Sequence, residues 1–69
     1  MNQIKQHRLA KGFTQETLSK LSGVSRSSIA SYESEHQNLS LQAFAAVCYS
    51  LKMSPEEIGR VVLMTHLKR

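Results

Sequence analysis

Much of what commonly stabilises a small protein is missing from this chain. It has a single cysteine, Cys48, so no internal disulfide can staple it, and a lone thiol suits a reducing compartment. His7, His36 and His66 stand apart from one another and from Cys48. That leaves no metal-ligand spacing, and neither a metal nor a cofactor is expected. No apolar run approaches the ~20 residues that span a bilayer, and the polar N-terminus has no secretory signal, so no membrane partner and a cytoplasmic location are expected. Repeats, low-complexity tracts and long linkers are lacking too. Nor are there paired carboxylates, a phosphate-cradling glycine loop or a nucleophile–base set. No catalytic residue is therefore assigned, and an enzyme is not expected.

What remains is 69 residues, enough for one domain. A chain this short buries only about 60% of its unfolded surface, so a monomer is marginal. With disulfides and metals excluded, oligomerisation is the common route to further burial. The net charge is +4, which favours an anionic partner. Lys5, Arg8, Lys11 and Lys20 lie in the N-terminal third, Arg26 follows, and Lys68 and Arg69 come last.

The pattern predicts an all-α fold of five helices. The first runs from about Asn2 to Lys11, with Ile4 and Leu9 inward, and Gly12 ends it. Thr14 caps the second, although Thr17 in place of Glu or Gln leaves the capping box incomplete. Leu18 and Leu21 give this helix an apolar face. Gly23 follows where the chain needs a left-handed residue. Ser25 then caps a third helix, about Arg26 to Glu33, with Val24, Ile29 and Tyr32 inward. A loop from Glu35 to Leu39 leads to Ser40, which caps a fourth helix. Leu41, Phe44, Ala45, Cys48 and Leu51 recur at helical spacing as its buried stripe, with Cys48 a core thiol. Ser54-Pro55-Glu56-Glu57 starts the fifth helix, with a cap, proline at the first position and acids in the first turn. It should continue to about Leu67.

The fifth helix has more apolar residues than one face can use. Ile58, Val61, Val62 and Thr65 form the stripe that the core should absorb, while Leu63, Met64 and Leu67 lie beside it. An exposed apolar patch marks an interface. A homodimer through Val62, Leu63, Met64, His66 and Leu67 is expected.

Residues 15–34, QETLSKLSGVSRSSIASYES, carry the functional signal. Two short helices meet at a glycine turn, and the outer face of the second holds Arg26, Ser27, Ala30, Ser31 and Ser34. Short and basic side chains suit a surface that must approach DNA closely. This is the layout of a helix-turn-helix whose second helix enters the major groove. Gln15, small Ser19, Gly23, Val24, Ile29 and Tyr32 stand in an order that resembles the Xre/Cro family, which has the lambda-repressor-like fold. The flanks IKQHRLAKGFTQ (4–15) and NLSLQAFAAVCYSLKMSPEEI (38–58) resemble the family's first helix and its later helices. The loop departs from the family pattern. Ser34-Glu35-His36-Gln37 stands where many members have glycine and basic residues, and Leu39 where they have proline. Leu39 in that place is similar to the small controller proteins of restriction–modification systems.

The resemblance implies roles. Arg26 would bond guanine O6 and N7, with Ser27, Ala30 and Ser31 also at base edges. Lys11, Thr14, Gln15, Ser28, His36, Gln37 and Asn38 would contact phosphates, which hold register without reading sequence, and Gln15 would also brace the recognition helix. Arg8 and Glu33 would form a structural ion pair. The whole implies a homodimeric transcription regulator on double-stranded DNA, its two recognition helices one turn, about 34 Å, apart on a palindromic operator. Autoregulation, bacterial or phage context and association with the nucleoid follow at family level. RNA polymerase would be a partner only for an activator, with Glu16 as the contact. No second domain suggests a small-molecule ligand. The alternative is a protein-interaction module, antitoxin-like or anti-repressor, docking through the fifth helix.

Overall fold

In the computed structural model, which describes residues 2–65 and side chains up to residue 63, five helices follow one another: α1 Gln3–Ala10, α2 Gln15–Ser22, α3 Arg26–Glu33, α4 Leu41–Ser50 and α5 Pro55–Thr65. No strand occurs among the described residues. The expected all-α class and the five helices are borne out. The boundary of α3 falls where Ser25 and Glu33 placed it.

Short polar residues start these helices. Asn2, Thr14, Ser25 and Ser40 each accept a backbone N–H from three residues on, satisfying a donor that the first turn leaves orphaned. Ser54 does the same for Glu57 N–H, and the Glu57 carboxylate accepts Ser54 N–H at 2.9 Å, closing a reciprocal capping box. That backbone bond is the main reason the Glu57 carboxyl is held below its ordinary pKa.

Left-handed residues end them. Gly12 has φ +76°; its N–H reaches Leu9 O at 3.0 Å and Phe13 N–H reaches Arg8 O at 3.1 Å, a Schellman closure. The same pair of bonds closes α3 with Glu35 (φ 66°) and α4 with Lys52 (φ 54°) in the left-handed place. Both are side chains that pay for a conformation glycine adopts freely.

The core is Ile4, Leu18, Ile29, Tyr32, Leu39, Phe44, Val47, Cys48, Leu51, Met53 and Val61. α2 packs on both α3 and α4, and Tyr32 of α3 meets Phe44 of α4 edge to face at 6.3 Å. Four expected core residues are corrected. Leu9 is exposed, because Ile4 and Arg8, four apart, form the inward face of α1. Leu21 is 57% exposed in the last turn of α2, off the seam that Leu18 fills. On α4, Leu41 and Ala45 are exposed. Phe44, Val47, Cys48 and Leu51 make the buried stripe, and Leu41, Ala45 and Tyr49, four apart, make a separate one facing an open groove against α5. On α5, Val61 is fully buried, Ile58 and Val62 are half-buried against the core, and Leu63 is exposed. Met64 as a side chain, with His66, Leu67, Lys68 and Arg69, lies outside the described residues.

Candidate nucleic-acid interface

The turn between α2 and α3 is held by its own short side chains. Gly23 takes φ +76° and its N–H caps Ser19 O at 2.9 Å. Ser19 Oγ donates to Val24 O at 2.6 Å, a contact that requires a side chain this small and polar. Val24 N–H donates to Ser22 Oγ at 3.2 Å. α3 is thereby launched at a set angle to α2.

Behind the outer face, α3 is fixed to the rest of the domain from three directions. Ile29 and Tyr32 are buried. Asn2 Nδ2 donates to Tyr32 O at 3.2 Å, so the cap of α1 also ties α1 to α3. Glu33, buried, gathers the remaining contacts. Arg8 Nε donates to its Oε2 at 2.8 Å, and Arg8 Nη2 and Gln15 Nε2 each donate to Oε1 at 3.0 Å. Arg8 Nη1 donates to Phe13 O at 2.7 Å. A bidentate guanidinium–carboxylate pair with further hydrogen bonds, here to Phe13 O and from Gln15 Nε2, is the arrangement in which burial of both charges is tolerable. Its consequence is mechanical: one carboxylate joins α1, α2 and α3. All three guanidinium nitrogens of Arg8 donate within this cluster. Gln15 spends one amide proton on Glu33 and keeps the other, with its backbone N–H at the start of α2.

The outward face is short and polar. Arg26 and Ser27 are exposed; Ser28, Ala30 and Ser31 are half-buried. Ser25 Oγ accepts Ser28 N–H at 3.2 Å and donates to Ser28 Oγ at 2.7 Å, so Ser28 is held against the cap. Arg26 makes no ion pair among the described residues. Lys11 and Thr14 are exposed beside the α2 N-terminus, where Thr14 Oγ1 accepts Thr17 N–H and donates to Thr17 Oγ1, both at 3.0 Å. After α3, His36, Gln37 and Asn38 are exposed. Ser34 Oγ donates to Ala30 O at 2.9 Å and lies 2.8 Å from His36 Nδ1. The starts of α2 and α3 and the loop after α3 thus each present exposed polar side chains. Among the described residues no group of three or more metal-ligating side chains occurs, and no helix is long and apolar enough to cross a membrane.

A family model described as helix-turn-helix matches residues 4–61, most of the chain. The chain belongs to this family, that of the Xre and lambda-repressor-like regulators. Comparison with curated proteins and comparison with solved structures each find no match. This Xre-family chain is a DNA-binding helix-turn-helix regulator, and α2 and α3 are its motif.

Asn2 is the structural residue that reading the sequence missed. Its signal was there, since asparagine is among the strongest caps, but its second bond, to Tyr32 O, joins residues far apart in the chain.

Proposed function

We propose that this regulator acts as a homodimer on a palindromic operator upstream of its own gene. α3 would lie in the major groove with Arg26 on guanine and Ser27, Ala30 and Ser31 at neighbouring base edges. Lys11, Thr14, Gln15, Ser28, His36, Gln37 and Asn38 would contact phosphates. The observation that carries the reading is the α3 surface. It opens with exposed Arg26 and Ser27, the arginine without an ionic partner among the described residues, while its C-terminal end is pinned through Glu33 and Tyr32. A rigid helix presenting free donors suits groove readout. The domain measures 30 × 24 × 22 Å, so two copies side by side repeat at a spacing comparable to one DNA turn, about 34 Å.

The test is binding of the purified protein to DNA immediately upstream of its start codon, against scrambled DNA of equal length, at two salt concentrations. Sequence-dependent binding of two protomers per site supports the proposal. Equal binding to both DNAs, erased by salt, overturns it, since that is the signature of phosphate contacts alone.

Repression requires only overlap with polymerase. Activation requires a contact surface, and Glu16 supplies one: it is exposed on α2, only loosely paired with Lys20 at 3.7 Å, a contact of little energetic weight in water. If this regulator activates, Glu16→Lys keeps operator binding and loses activation in a reporter assay. Retained activation removes Glu16 from that role.

A further inference from the structure

A groove between α4 and α5 is left unused by the proposed DNA surface. It encloses about 820 Å³. Leu41 and Tyr49 of α4 and Ile58 and Val62 of α5 form its walls, Phe44 and Cys48 its floor, and Lys52 is the one charged residue on its lining among the described residues. Tyr49 is 86% exposed and Leu41 66%, and Leu63 on α5 is 63% exposed. None of these residues belongs to the α2–α3 surface, so an occupant here leaves the DNA face free.

Two properties select the occupant. A small ligand is oriented by several placed polar groups, and among the described residues the lining's polar side-chain groups are Lys52 and the Tyr49 hydroxyl, both on exposed residues, and a thiol that burial pushes up to about 11. A two-fold contact, by contrast, requires a patch complementary to itself. This face has both halves of such a contact, a cavity and, at its mouth, a large projecting ring. A buried tyrosine removes about 150–250 Å² from water, about a quarter of the ~800 Å² per partner in a standard interface. Leu41 and Leu63 extend the same apolar surface. The sequence, with its surplus of apolar residues on the fifth helix, pointed to α5 alone.

We infer that a second copy of this chain docks across the α4–α5 groove, with Tyr49 of each protomer seated in the groove of the other. The inference rests on the homodimer reading above and moves the centre of its interface from α5 to α4. It gives the exposed stripe Leu41, Ala45 and Tyr49 a role that the core does not.

The test uses the full chain. Wild type, Tyr49→Ala and Leu63→Glu are compared by sedimentation equilibrium over a wide concentration range, with circular dichroism to show that each is folded. Tyr49 is so exposed that its truncation leaves the monomer fold intact. The expected result is a wild-type dimer and at least a tenfold weaker one for Tyr49→Ala. The chain has no tryptophan, so Tyr49→Trp adds a single reporter whose emission should move to shorter wavelength as mass doubles. A wild-type dimer with undiminished Tyr49→Ala association, or with tryptophan emission that stays solvent-like, overturns the groove and leaves the homodimer standing, on α5 if Leu63→Glu dissociates it. A wild type that stays monomeric overturns both. Should that monomer bind anilinonaphthalene sulfonate and lose it in Leu41→Glu, the groove is a small-ligand site instead.

Discussion

Arg26 and Lys11 are both exposed cations near the proposed DNA surface, yet they should fail differently when removed. Arg26→Ala deletes a bidentate donor from the start of α3, at a cost of about 1–3 kcal/mol and with relaxed preference at one base position. Lys11→Ala should weaken all sequences alike and reduce the salt slope by about one. Titrations of operator and mutated operator at several salt concentrations separate the two, and an Arg26→Ala protein with full sequence preference would place that side chain on phosphate. Arg8 answers to a different balance. With its guanidinium bound to Glu33 Oε1 and Oε2 and to Phe13 O, Arg8→Ala leaves a buried carboxylate with only Gln15 for company. Breaking such a pair costs about 3–5 kcal/mol, a large share of what a chain of this size holds. Urea denaturation should show a protein largely unfolded or nearly so at 37 °C. An unchanged midpoint would mean that the pair is not holding α3. The resemblance of the motif gave the pairing of Arg8 and Glu33. The same resemblance implied that Gln15 braces the recognition helix, and its amide donates to Glu33 Oε1; that one carboxylate gathers three helices has no local signature.

At the scale of the helix, starts and stops were legible because capping is decided within about four residues. Ser25, Ser40 and Ser54 each stand where a side-chain oxygen reaches an N–H three residues ahead, and no distant residue takes part. The stops were legible where glycine marked them, at Gly12 and Gly23, and silent where Glu35 and Lys52 took the same left-handed turn. Those two positions carry strain, and its sign can be tested. The left-handed conformation costs an L-residue about 1–2 kcal/mol, against about 0.5–1 kcal/mol of extra entropy that glycine loses on folding. Glu35→Gly should therefore stabilise the domain by about 0.5–1 kcal/mol in a thermal melt. A loss of stability would show that the Glu35 side chain contributes more than its backbone costs.

At the scale of the whole molecule, the decisive quantity is how much apolar surface a short chain can cover alone. The core accounts for one stripe of α4 and one of α5 and leaves Leu41, Tyr49 and Leu63 in solvent. A protein stabilised by association with its own copy has a melting temperature that rises with concentration. Calorimetry over a hundredfold dilution should show that rise for wild type, and a concentration-independent transition would mean that the monomer is self-sufficient.

By itself, the sequence determined the helices, their caps, the glycine turn and the polar face of α3, because each depends on near neighbours along the chain and on the 3.6-residue period. The tertiary structure alone decided which apolar residues are core. Leu41 and Ala45 follow the same helical spacing as Phe44 and Cys48, but α2 and α3 close over one stripe of α4 and nothing among the described residues closes over the other. Periodicity tells which side chains share a face; burial depends on whether some distant element arrives to cover it.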